Sequence, residues 1–235
     1  MSKFYGVHRG RNTGVYQTWS EVQHLITGYK NAQFQKFTTH AQAQHFVDTG
    51  EIVCEKSSVL ADAWKDRGEL YIYTDGSHSS RTKRSGMGVA WDPPFTCYAI
   101  AKELPLSTSN QLAELDAIRS ALITIDRSQA LQAHIVVNKA IIWTDSNYAC
   151  QCLYNNIHKW RENGWTTSSG NPVKHKRIIV ECDKLLTKLR HIRLRHISEV
   201  GLTSHDSEAS VKNAKPLTKR VWAGNRRADK LARGL

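Results

Sequence analysis

Two apolar runs, each closed by an aspartate, constrain the fold of this chain more than any other feature. Leu70-Tyr71-Ile72-Tyr73-Thr74 leads into Asp75-Gly76-Ser77, and Ala140-Ile141-Ile142-Trp143-Thr144 leads into Asp145-Ser146. Short runs rich in β-branched and aromatic residues read as strands, and an unbroken apolar run reads as a buried one. In an open α/β sheet, sites form outside the carboxyl ends of the strands. If the two strands are neighbours, Asp75 and Asp145 converge at one edge. Aspartate after a strand is also a common turn former or helix cap, so spacing alone leaves that reading open.

The rest of the pattern is consistent with such a sheet. Further strands are expected at Gly86 to Trp91, Phe95 to Ala101 and Ile192 to Arg195. Leu115, Ile118, Leu122 and Ile125 recur at helical spacing between Asn110 and Ile125, and helices are expected at 146–156, 174–189 and 224–233. The polar stretch from Ser198 to Ala223 reads as a mobile loop. Strands first, then strand–helix alternation, predict an α/β unit with a mixed sheet flanked by helices. Ahead of it lies a smaller α+β pattern. It has strands at Phe4 to Val7, Val15 to Gln17 and Phe34 to Phe37, a helix opened by the capping box Thr18-x-x-Glu21, and a helix from Thr39 to Val47. The expected organisation is a small domain over 1–47, a polar linker over 48–69 and a larger domain over 70–235.

Charge narrows the function. The chain carries 33 Lys+Arg against 21 Asp+Glu, a formal net charge of +12. Sixteen of those cations but six of those acids lie between Lys174 and Leu235. Such a bias favours docking to a polyanion, most often nucleic acid. Glu114 and Asp229 sit on helices able to join the two strand-end aspartates, and acids crowded together repel unless a cation neutralises them. Hard oxygen donors select Mg²⁺ or Mn²⁺. A basic protein with an acidic centre has the electrostatics of a metal-dependent nucleic-acid enzyme. Five cysteines (54, 97, 150, 152 and 182) lack the spacing of a disulfide framework or zinc site. No apolar run is long enough to span a membrane. With no leader pattern at the N-terminus, the expectation is an intracellular protein, in the nucleus ahead of the mitochondrion, which an alternative start would serve.

Four strings add specificity. Tyr73-Thr74-Asp75-Gly76-Ser77, Asn110-Gln111-Leu112-Ala113-Glu114-Leu115, Trp143-Thr144-Asp145-Ser146 and Gly224-Asn225-Arg226-Arg227-Ala228-Asp229 occur in that order. Over the larger unit the chain resembles the type 1 ribonuclease H family, and residues 4–47 resemble the small hybrid-binding domain that precedes the catalytic domain in many eukaryotic members. The resemblance implies a five-stranded ribonuclease H-like sheet and an endonuclease that cuts the RNA strand of RNA–DNA hybrids, leaving 3′-hydroxyl and 5′-phosphate ends. It implies two Mg²⁺ ions, with Mn²⁺ as an alternative, on Asp75, Glu114, Asp145 and Asp229, and a loop histidine at His196 that aids proton transfer or product release. His205, deeper in the same stretch, is the other candidate.

By position, Asn110 and Gln111 match the pair that reads RNA 2′-hydroxyls, and the segment holding Trp160, Arg161 and Trp165 matches a basic protrusion that grips the DNA strand. Tyr5, Trp19, Phe34 and Lys36 match the hybrid-binding face, with core packing the competing reading for Trp19 and Phe34. The implied partner is a hybrid duplex such as an R-loop. No membrane or obligate protein partner is implied, and a monomer is expected. Departures include Leu112, Gln35 and Arg226, a missing tryptophan near Asn156, and a long stretch between His196 and Gly224. Two rivals remain: an integrase, transposase or reverse-transcriptase-associated enzyme of the same superfamily, and a module that binds hybrids without cutting.

Overall fold

A computed structural model describes residues 3–37, 39–50, 69–93, 95–128 and 139–234. The first unit opens with strands β1 (Phe4–Arg9) and β2 (Gly14–Tyr16), helix α1 (Trp19–Ile26), strand β3 (Gln33–Phe37) and helix α2 (His40–Thr49). The strands form an antiparallel sheet in the order β2-β1-β3. Thr18 and Thr39 both close capping boxes, with Glu21 and Gln42, so each helix starts where its sequence signature falls. Most of the expected linker, residues 51–68, lies outside the described residues. Its edges differ from expectation, because α2 runs on to Thr49 and the next strand starts at Glu69.

The second unit contains strands β4 (Glu69–His78), β5 (Ser85–Trp91), β6 (Ile100–Leu104), β7 (Lys139–Thr144) and β8 (Ile192–His196) in one sheet, ordered β6-β5-β4-β7-β8. β4, β5 and β6 are antiparallel neighbours, while β7 and β8 run parallel to β4. The helices are α3 (Asn110–Arg127), α4 (Asn147–Cys150), α5 (Ile157–Glu162), α6 (Lys176–Lys188), α7 (Glu208–Val211) and α8 (Pro216–Ala232). Side chains alternate across β4. Leu70 and Ile72 join the core beneath α3 and α6, whereas Tyr71 and Tyr73 face Trp143, Val221 and Ala228 on the α8 side. Truncating a side chain as fully enclosed as Leu115 or Ile118 to alanine costs about 2–5 kcal/mol.

Four sequence expectations are corrected. The strand expected at 95–101 is instead a 3-10 turn over Phe95–Tyr98, and β6 begins at Ile100. Phe95 N–H donates to the Asp92 carbonyl, which turns the chain and drops Phe95 and Tyr98 into the core. The single helix expected at 146–156 breaks into α4 and a π turn over Gln151–Asn155, followed by α5. The last helix starts at Pro216, two turns before Gly224. Proline at the first helical position, with Val221 buried, extends it backward. Residues 198–223 are not a bare loop. A 3-10 turn over Ile197–Val200, helix α7 and the start of α8 occupy it, with Leu202 and Val211 buried. Among the cysteines, Cys150, Cys152 and Cys182 are free thiols, whereas Cys97 is disulfide-bonded. No helix of the described residues is long and apolar enough to cross a membrane.

Candidate active site

The register of the sheet builds the site. Thr74 of β4 pairs with Thr144 of β7, so Asp75, still within β4, lies beside Asp145, which follows the last residue of β7. Helix α3 brings the third acid. Ser109 caps it by accepting from Leu112 N–H, and Glu114 lies one turn in. Gly76 permits the approach, because a Cβ there would lie 2.3 Å from the Glu114 backbone nitrogen. One carboxylate oxygen from each of Asp75, Glu114 and Asp145 falls within 4.8 Å of the others. They open into a cleft of about 470 Å³.

These acids are electrostatically unsatisfied. Asp75 and Glu114 are buried and Asp145 half-buried. Burial, then repulsion from Asp145 and Asp229, pushes the Asp75 carboxyl up to about 8. Burial, with Asp75 and Asp145 nearby, raises Glu114 well above the usual carboxylate range. Burial also raises Asp145, against a side-chain hydrogen bond from Asn225. Glu114 Oε2, Asp145 Oδ1 and Asn225 Oδ1 are buried without a hydrogen-bond partner. Bare carboxylate oxygens converging on one point fit a hard divalent cation, which supplies the missing positive charge.

Asp229 stands slightly apart. It lines the same cleft from α8, but its Oδ1 lies 2.6 Å from Arg233 Nε, one helical turn on. The structure thus brings together three of the four expected acids and gives the fourth an intramolecular counter-ion. Helix α8 reaches the site because Gly224 lies flat against Tyr73, where a Cβ would come 2.2 Å from the ring. Beside that contact, buried Asp92 accepts from Tyr73 Oη at 3.1 Å, from Arg227 at 2.9 Å and from Arg220 Nε. Arg220 also lies 4.1 Å over the Tyr71 ring. These contacts hold α8, and with it Asn225 and Asp229, on the sheet.

The two histidines are placed differently. His196 ends β8 with both ring nitrogens engaged, Nδ1 with Ser198 and Nε2 with the Asp145 carbonyl at 3.0 Å. His205 lines the cleft together with Ser204. Its turn is pinned by Asp206, whose carboxylate accepts from Thr203 N–H at 2.6 Å and Ser210 Oγ at 3.0 Å. The Asp206 carbonyl accepts from Trp222 Nε1 at 2.9 Å. Sequence reasoning ranked His196 ahead of His205 because the surroundings of His205 read as mobile, whereas the structure orders that turn. It also passed over His78, Asn225 and Arg233, which line the cleft. Arg233 was legible as an i+4 partner of Asp229.

Among the expected substrate contacts, Asn110 and Gln111 line the cleft. The Asn110 side chain bonds Glu114, and Lys174 Nζ reaches Gln111 Oε1 at 3.5 Å. Trp160 and Trp165 are half-buried with ring centroids 6.3 Å apart, and Arg161 is committed to Asp183. The pair with Asp183 ties residues 160–165 to α6. In the first unit, Trp19 packs at a tilt between Tyr5 at 5.9 Å and Phe34 at 5.6 Å and remains 38 % exposed. Tyr5 pairs in register with exposed Lys36. Tyr5 and Phe34 also pack against the small core of Val7, Val22 and Ile26, so structural and surface roles meet in the same rings.

A five-stranded mixed sheet with clustered acids at the ends of its central parallel strands defines an enzyme of the ribonuclease H-like class. Comparison with known proteins makes this specific: residues 67–234 match the RNase H family, and residues 3–47 match the family described as the Ribonuclease H1 N-terminal domain. The chain belongs to the RNase H family and is a ribonuclease H. It is 28 % identical to Ribonuclease H1 of Mus musculus, over 99 % of this chain and 89 % of that protein. To Ribonuclease H1 of Homo sapiens it is 29 % identical, over 83 % of this chain and 82 % of the relative. The solution structure of the PFV RNase H domain shares the fold, with a TM-score of 0.51 and 23 % identity over 72 % of this chain and 95 % of that one.

Proposed function

We propose that this protein hydrolyses the RNA strand of RNA–DNA hybrids with two divalent cations, Mg²⁺ first, leaving 3′-hydroxyl and 5′-phosphate ends. The observation that carries the reading is the trio Asp75, Glu114 and Asp145, its oxygens converging within 4.8 Å with two of them buried and unpartnered. Asp75, Glu114 and Asp145 would hold the cations, joined by Asp229 once it leaves Arg233. Bound there, divalent ions supply Lewis acidity and charge neutralisation at the scissile phosphate. The chain's own residues do the rest. Asn110 and Gln111, at the start of α3 on the cleft wall, would meet 2′-hydroxyls, which only RNA offers. Asn225 steadies the Asp145 carboxylate by a side-chain hydrogen bond. Hydrolysis adds water across the P–O3′ bond: hydroxide goes to phosphorus and a proton to the departing 3′ oxygen. His205, on the cleft wall, would handle that proton. The exposed Trp19 ring and Lys36 add affinity from the first unit.

The test is cleavage of an end-labelled hybrid with Mg²⁺ and then with EDTA, alongside all-RNA and all-DNA duplexes. Cutting confined to the RNA of the hybrid, lost with EDTA, and products that ligase accepts without kinase treatment support the reading. Cutting of all-DNA duplex at a comparable rate sinks it.

A further inference from the structure

Helix α8 has two faces of opposite character. Val221, Gly224, Asn225, Ala228 and Ala232 are buried against the sheet. At 100° per residue, Lys215, Lys219, Arg226, Lys230 and Arg233 fall on the opposite side, and all five are exposed. Asp229 is the only acid between Lys215 and Arg233. Lys215, Lys219, Arg226 and Lys230 make no ion pair with any described residue. The cations on the flank of the same helix, Arg220 and Arg227, are both spent on Asp92. Structural need thus accounts for the flank and leaves the outer row unexplained.

The row is continuous with the active site. Arg226 and Arg233 line the catalytic cleft, and Lys219 and Lys215 carry the line away from it. From Lys215 to Lys230 the helix rises roughly 22 Å at 1.5 Å per residue, about the axial length of six nucleotides in one strand. The N-terminal half of this ridge belongs to the two turns that sequence reading took for loop.

We propose that the outer face of α8 is a second substrate-binding ridge, which holds the phosphodiester backbone of the substrate where it leaves the catalytic cleft. The contacts are to phosphate, so they add affinity and not sequence preference. The inference rests on the hybrid-cutting reading and extends it to longer substrates.

The test uses the full chain and the triple variant K215Q/K219Q/K230Q, which leaves Arg226, Arg233 and the acids in place. Binding is measured against KCl for two hybrids, one just filling the cleft and one extended at both ends. For the extended hybrid, the slope of log Kd against log[KCl] should fall by about two to three units and affinity at low salt roughly ten-fold or more, near 0.9 per lost phosphate contact. For the short hybrid, affinity and single-turnover cleavage should match the parent. Single variants K215Q and K219Q should each show a fraction of the slope change, which separates the ridge from any loss of fold in the triple variant. An unchanged slope on the extended hybrid, or equal weakening on both hybrids, overturns the ridge. Failure of the parent protein to cut either hybrid instead overturns the functional reading beneath it.

Discussion

His196 Nε2 donates to the backbone carbonyl of Asp145 across 3.0 Å, while His196 Nδ1 accepts from Ser198 N–H. The ring therefore ties the end of β8 to the turn that presents the Asp145 carboxylate. This relation sets the first prediction. His205→Ala should lower kcat roughly 10²-fold or more, the usual worth of one acid–base group. His196→Ala should lower the melting temperature, from loss of a hydrogen bond worth about 1 kcal/mol, with a smaller effect on kcat. Steady-state kinetics beside thermal melts decide it, and the reverse ranking would return the proton-handling role to His196.

The acid trio predicts opposite signs for activity and stability. Asp75→Asn should reduce cleavage by orders of magnitude while hybrid binding persists. In EDTA the same protein should melt higher than the parent. The folded-state value of Asp75 lies above its unfolded one, so at neutral pH folding must take up a proton on this carboxyl, a cost present above the unfolded value, and a neutral amide removes it. Calorimetry with and without divalent ions reads both effects.

Gly224→Ala places a methyl against the Tyr73 ring. Overpacking of this kind costs about 1–3 kcal/mol and here also lifts α8 from the sheet. Urea unfolding should show the loss, and kcat should fall with it because Asn225 and Asp229 ride on the same helix. A silent substitution would show that α8 can slide without harm.

Asp92→Asn leaves Arg220 and Arg227 without their anionic partner, and turns one of the two acceptor oxygens into a donor. A broken buried pair costs about 3–5 kcal/mol, and because both guanidinia are some two-fifths exposed the expected loss is nearer 2 kcal/mol. Denaturant titration checks the figure, and a stability within error of the parent contradicts the role given to this network.

Trp19→Ala should weaken hybrid binding roughly ten-fold, consistent with loss of one stacked base at about 1–3 kcal/mol, and leave single-turnover cleavage at saturation intact. Gel shifts and rapid-quench kinetics separate the two. Loss of cleavage at saturating protein would place Trp19 in the chemistry rather than in binding.

Much of the site was legible because its signals are local. Apolar runs ending in Asp75 and Asp145 fix two strands, and the sheet register does the rest. Glu114 followed from a helix whose period is clear. What stayed hidden depends on contacts between distant residues. Helix α8 was started late, at Gly224, because the residues before it read as polar loop, and the Tyr73 ring against it explains a glycine in mid-helix. The turn at Phe95 rests on a bond to Asp92 that no periodicity records. The ordering of Thr203 to Ser210 around Asp206 defeats a composition rule that equates small polar residues with motion.

That pinned turn has a kinetic consequence. A cleft wall already fixed by Asp206 and Trp222 needs no closing motion when substrate arrives, so little ordering entropy is lost at encounter. On that side of the cleft, capture then depends less on a search among loop conformers.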